Sequence, residues 1–113
     1  MDKFYIITNS DKDKDLKITG QIVEYLKANG RECQVQQAKR RRNGPFHYTD
    51  PERIPKGTEC IIVLGGDGTL LQAARDVVHR EIPLLGINLG NLGFLAEVDT
   101  QSLYPSLDKL MAG

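Results

Sequence analysis

The sequence predicts a three-layer α/β/α domain built on a mostly parallel sheet. Three observations carry this. Short apolar, β-branched runs alternate with segments whose apolar residues recur every three to four positions. One run, Cys60-Ile61-Ile62-Val63-Leu64, is apolar throughout, as a strand buried on both faces must be. Six of the eleven glycines fall between Gly65 and Gly93, where the backbone must bend sharply or approach something closely. Strands alternating with helices in this way place helices on both faces of a parallel sheet.

The elements follow in order. Phe4 to Thr8 is an apolar run and reads as a buried strand. Asn9 to Asp15 supplies polar capping candidates and acidic residues suited to a helix start. Ile18, Ile22, Tyr25 and Leu26 then mark a helix, with Gly30 just past its end as a C′ residue. Gly20 weakens that helix by about 1 kcal/mol relative to alanine. Cys33 and Val35 alternate with polar residues as a second, half-exposed strand. Ala38 to Gly57 has prolines, a basic run and no sustained period, and reads as a long surface loop. After the Cys60–Leu64 strand and its glycine turn, a helix is expected with Leu70, Leu71, Ala74, Val77 and Val78 on one face. Pro83 precedes a strand from Leu84 to Ile87, and Asn88 to Gly93 forms a second glycine-rich turn. Phe94 to Val98 is a short strand candidate. Gln101 to Met111 reads as a last helix, which requires Pro105 in its first turn.

Bulk properties narrow the function. The 113 residues make one domain, residues 1–113, with one core. Fifteen Lys and Arg balance fifteen Asp and Glu, so no global field attracts nucleic acid or an acidic membrane surface. No apolar run reaches the ~20 residues of a membrane helix, and no signal segment opens the chain. Cys33 and Cys60 lie too far apart for a metal or disulfide framework and are expected as reduced thiols, which points to the cytoplasm. His47 and His79 lack partners at metal-ligand spacing, so no residue is assigned as a metal ligand. Ser10, Ser102 and Ser106 lack the context of a nucleophile elbow. The run Lys39 to Arg42 reads as a solvated basic stretch, with a nucleotide phosphate or an effector as its alternative partner.

Gly65-Gly66-Asp67-Gly68-Thr69 carries the chemistry. It sits at the carboxyl end of an apolar strand and opens a helix, the place where open α/β sheets bind ligands. The free N–H groups and positive dipole end of a helix start favour phosphate. Two familiar phosphate loops are excluded. Leu70 stands where a Gly-x-x-x-x-Gly-Lys loop needs its second glycine, and Leu71 where the dinucleotide fingerprint needs its third. A carboxylate at Asp67 beside phosphates suits two tasks, accepting a hydrogen bond from a sugar hydroxyl or meeting the magnesium that accompanies a nucleotide. The structural alternative is a tight turn in which Asp67 is only a cap.

Gly65-Gly66-Asp67-Gly68-Thr69-Leu70-Leu71 resembles the motif shared by NAD kinases and the diacylglycerol/sphingosine lipid kinases, with a looser version in phosphofructokinases. The second element, Gly86-Ile87-Asn88-Leu89-Gly90-Asn91-Leu92-Gly93-Phe94-Leu95-Ala96-Glu97, is similar to the NAD kinase pattern. The Gly-Thr-Gly-Asn-Asp segment of the lipid kinases is missing. The resemblance implies a Rossmann-like N-terminal domain that serves phosphoryl transfer from ATP or polyphosphate to the 2′-hydroxyl of the adenosine ribose of NAD, giving NADP. Asp67 would contact the acceptor ribose as the base, and Gly66 and Gly68 would approach NAD and the donor. Phe94 would lie against the adenine, or else pack in the core. Magnesium or another divalent cation would accompany ATP, and the complete enzyme is expected to be a homo-oligomer.

The family also holds a later Asn-Glu motif in a mostly β C-terminal domain. No Asn-Glu dipeptide occurs in this chain, so it is expected to be the N-terminal part of the enzyme and inactive alone. Two rivals remain at this stage: a lipid kinase catalytic domain, and a nucleotide-sensing module that keeps the loop without catalysis.

Overall fold

A computed structural model describes residues 1–9, 13–37, 39–40, 47–89 and 100–113, and at residues 14, 39–40, 47–48, 67, 88 and 100–102 it describes the backbone alone. The main sheet has four strands: β1 (Lys3–Thr8), β2 (Glu32–Gln37), β5 (Cys60–Gly65) and β6 (Leu84–Asn88). Their order is β2-β1-β5-β6, and every neighbouring pair is parallel. Helices α1 (Lys17–Ala28) and α3 (Thr100–Ala112) cover one face, and α2 (Asp67–Val77) covers the other. The three-layer α/β/α architecture expected from the sequence is therefore present.

Side-chain alternation along the two central strands builds two separate cores. Phe4, Ile6, Cys60, Ile62 and Leu64 point to one side, where they meet Ile22 and Leu26 of α1 and Leu103, Leu107 and Met111 of α3. Tyr5, Ile7, Ile61 and Val63 point to the other and meet Ala73 and Val77 of α2 and Ile54. Cys33 and Cys60 are both free, and burial pushes both thiols up, as for small side chains packed in apolar surroundings.

The ends of α1 use the chemistry anticipated for them. Asp13 is buried, and its carboxylate accepts the N–H groups of Ile18 and Thr19 at 3.0 and 2.8 Å and the Thr19 hydroxyl at 2.7 Å. At the other end Gly30 takes φ +77°, and its N–H reaches the Lys27 carbonyl while that of Arg31 reaches Leu26. This paired closure satisfies two of the last carbonyls of the helix. Helix α3 is held to α1 by the Tyr25 hydroxyl, which donates to Asp108 at 2.6 Å, and by the contact of Tyr25 with Tyr104. The Asp108 carboxylate, which accepts that proton, is the main reason the Tyr25 hydroxyl titrates above its ordinary value.

Four expectations are corrected. The buried face of α2 is Leu70, Ala73 and Val77, while Leu71 and Val78 stand 62% and 69% exposed. Both sets obey helical spacing, and the crossing of α2 over Ile61 and Val63 decides between them. On β2, an edge strand, the residue that goes inside is Gln36, 3% exposed, whereas Val35 lies at 36%. Gln36 is admitted because its amide donates to the Tyr5 hydroxyl at 2.7 Å and accepts the Asp50 N–H at 2.7 Å. Pro105 lies in the second turn of α3, since the helix starts at Thr100. Its missing N–H costs one bond near the helix start.

The fourth correction concerns Ala38 to Gly57. It contains a short antiparallel pair, β3 (Lys39–Arg40) with β4 (His47–Tyr48), and a 3-10 turn at Pro51–Arg53. Thr49 and Ile54 are buried. The Thr49 N–H donates to Asp76 at 3.0 Å, and the Arg80 guanidinium donates to the carbonyls of Pro51 and Ile54. Polar side chains from α2 and the 3-10 turn after it hold this segment, and such bonds leave no hydrophobic period. The expected strand Phe94–Val98 lies outside the described residues.

Gly20 is the clearest point of unused stability. It lies inside α1, and a Cβ there would meet nothing within 4 Å. Gly20→Ala is expected to raise the unfolding free energy by about 0.5–1 kcal/mol through backbone entropy, read as a higher urea midpoint at unchanged slope.

Candidate phosphate-binding site at the strand carboxyl ends

From β1 the chain passes outward to β2 and then crosses back to β5 on the opposite side. The carboxyl ends of β1 and β5 therefore flank the point where the strand order reverses, which is where ligands enter open α/β sheets. Residue 9 follows β1 at that point, and residues 66 to 69 follow β5.

The turn after β5 is sharp. Gly65 ends the strand and is buried, Gly66 is the N-cap of α2 with φ −86° and ψ −176°, and Asp67 is the first helical residue. Among the described residues no side chain caps this helix start, and its N-cap, Gly66, has no side chain to do so. Gly68 is exposed, and a Cβ there would meet nothing within 4 Å. A ligand can approach the backbone closely at that residue. Gly65 has the opposite reason to be glycine. A Cβ on it would lie 2.7–2.8 Å from Cβ, Cγ2 and Oγ1 of Thr69. At Gly86, Leu70 lies 3.2 Å from where a Cβ would sit, so β6 and α2 also pack through a glycine.

Thr69 is only 6% exposed and forms the link between the two strand ends. Its hydroxyl oxygen accepts the side-chain amide of Asn9 at 2.9 Å, and the Asn9 backbone N–H donates to the Leu64 carbonyl at 2.9 Å. The Gly65 carbonyl accepts the N–H of Leu89, which ties the turn after β6 to the same corner. Next to Asn9, Thr8 is fully buried with its hydroxyl 2.9 Å from that of Thr19. The site thus rests on a chain of buried polar contacts running from the start of α1 to the start of α2.

Of the residues singled out by sequence, Gly66, Asp67 and Gly68 are brought together at the head of α2, while Phe94 lies outside the described residues. The sequence places Asn9 among the capping candidates, whereas in the structure its side-chain amide meets Thr69. The available signal was its position as the first residue after an apolar strand. Among the described residues no group of three or more His, Cys, Asp or Glu is placed to hold a metal ion. No helix among them is long and apolar enough to cross a membrane.

The family model of the ATP-NAD kinase N-terminal domain matches residues 4–113. The chain belongs to this family. It is 50% identical over 110 residues to an NAD kinase of Lachnoclostridium phytofermentans, covering 97% of this chain and 38% of the relative. An NAD kinase of Lachnospira eligens is 43% identical over 113 residues, covering 98% of this chain and 38% of the relative. One of Caldanaerobacter subterraneus subsp. tengcongensis is 40% identical over 114 residues, covering all of this chain and 40% of the relative. The chain thus spans about two fifths of the length of the curated relatives it matches. The Gly-Gly-Asp-Gly-Thr turn described above lies inside the part that matches the ATP-NAD kinase N-terminal domain.

Gly65→Ala tests the packing of this turn. The added methyl must displace Thr69 or the first turn of α2, at an expected cost of about 1–3 kcal/mol. Denaturant unfolding reads the loss, and an unchanged midpoint would contradict the close approach.

Proposed function

We propose that the gene product carrying this chain is an NAD kinase, transferring a phosphoryl group from ATP or polyphosphate to the 2′-hydroxyl of the adenosine ribose of NAD. The chain supplies the part of the site that receives phosphate. The observation that carries this reading is the uncapped head of α2, with Gly66, Asp67 and Gly68, set at the reversal of strand order in a chain of the ATP-NAD kinase N-terminal domain family.

The residues divide the work by their chemistry. Gly66 and Gly68 let donor phosphates and the NAD pyrophosphate approach backbone N–H groups without a Cβ in the way. The α2 dipole adds a partial positive charge at the same place. Asp67 orients the ribose hydroxyl and receives its proton. An ionised aspartate suffices because phosphoryl transfer passes through a loose transition state, in which proton removal is late and alignment matters most. The divalent cation belongs to the donor and arrives on its phosphates, where it neutralises charge. Phe94 offers an aromatic face to the adenine. With net charge zero the chain has no field that draws nucleic acid. The complete enzyme works in the cytoplasm as a homo-oligomer, and residues beyond this chain grip the acceptor nucleoside.

Asp67→Asn in the complete gene product is expected to lower kcat for NADP formation by about 10²–10⁴, with the unfolding midpoint nearly unchanged. Turnover equal to the parent would remove Asp67 from the reaction and leave it as a turn residue. A parent protein that phosphorylates diacylglycerol and not NAD would overturn the acceptor assignment.

A further inference from the structure

Thr69 is held from two sides. Gly65 leaves it room with nothing to spare, and Asn9 donates into its hydroxyl oxygen at 2.9 Å. Both partners are nearly sealed from water, Asn9 at 5% and Thr69 at 6% exposure. Asn9 is itself fixed, because its backbone N–H extends the β1–β5 ladder to the Leu64 carbonyl.

The direction of the Asn9–Thr69 bond has a chemical consequence. A threonine hydroxyl carries one proton and can accept as well as donate. With Asn9 supplying the hydrogen, the Thr69 proton remains to be given away. Within a helix that proton usually turns back to the carbonyl four residues earlier. Here that carbonyl belongs to Gly65; it accepts the N–H of Leu89 at 2.9 Å, and the Thr69 hydroxyl makes no bond to it among the described residues. Phosphoryl oxygens at the head of α2 are pure acceptors, and a buried hydroxyl with its donor side available complements them.

We infer that Asn9 is a positioning residue of the phosphoryl-transfer site, setting the Thr69 hydroxyl as a hydrogen-bond donor to the phosphate donor substrate. This rests on the kinase reading given above and adds to it a residue outside the Gly-rich turn. Asn9 reaches across the strand-order reversal, so the end of β1 controls the chemistry of the turn after β5. Asparagine suits the position because it donates without adding negative charge beside phosphate.

A double-mutant cycle on the complete gene product tests this, with turnover and ATP affinity by calorimetry both measured. Asn9→Ala is expected to weaken ATP binding and raise the ATP KM by roughly three- to tenfold, with the NAD KM unchanged. Thr69→Val is expected to do the same, and adding Asn9→Ala to it should cost less than about twofold more, because the partner is already gone. Thr69→Ser keeps the hydroxyl and should retain most of the ATP affinity. Asn9→Asp serves as the second arm. Its carboxylate accepts the Thr69 proton and adds charge, so it should bind ATP more weakly than Asn9→Ala. Additive losses, an effect on the NAD KM alone, or parent-like ATP affinity in Asn9→Asp would each overturn the proposal. A parent protein that binds ATP and forms no NADP would overturn the kinase reading instead, with the Asn9–Thr69 coupling still read in binding.

Discussion

Both faces of β1 and β5 must be kept from water, and the rest of the chain is arranged around that requirement. Ten of the residues at the centre of these two strands, Phe4 to Thr8 and Cys60 to Leu64, are buried. A parallel pair of this kind cannot be closed by a hairpin, so the connections must cross over the faces, and in crossing they supply the cover. Placing β1 beside β5, with β2 outside it, also separates the two carboxyl ends that lead into α1 and α2. The same constraint that builds the core therefore opens the crevice in which the glycine turn sits.

Much of this was legible in the sequence because it follows from local rules. Apolar runs marked β1, β5 and β6, alternation marked β2, helical spacing marked α1, and Gly30 fell where a left-handed residue closes a helix. The misplacements arose where two answers obey the same local rule. Leu71, Ala74 and Val78 form as regular a stripe as Leu70, Ala73 and Val77, and only the docking of α2 on the sheet distinguishes them. Gln36 enters the interior against its polarity because Tyr5 and Asp50 happen to lie within reach. Such partners are remote in sequence and leave no periodic trace.

The candidate site divides in the same way. The glycine turn was readable because glycine, aspartate and threonine in that order after an apolar strand meet a definite set of demands. The support for the turn was not. Asn9 lies sixty residues from Thr69 in the chain, and their bond exists only because β1 and β5 are neighbours. The segment between β2 and β5 looks like a loop in sequence for a related reason, since its anchors, Asp76 and Arg80, belong to the region after the turn it precedes.

The register of the sheet also bears on how the chain reaches this state. Phe4 pairs with Cys33 on one side and with Cys60 on the other, so the central pair closes a loop about twice as long as the outer pair. Each doubling of loop length adds only about 0.6 kcal/mol of closure entropy. The larger effect is on order of events, since contacts distant in sequence form late and slow the search. The β1-α1-β2 unit can assemble as a local nucleus on which β5 then docks. The Asn9–Thr69 bond depends on the β1–β5 pairing, the one that joins the most distant stretches of chain in this sheet, so the corner that holds the site forms no earlier than that closure.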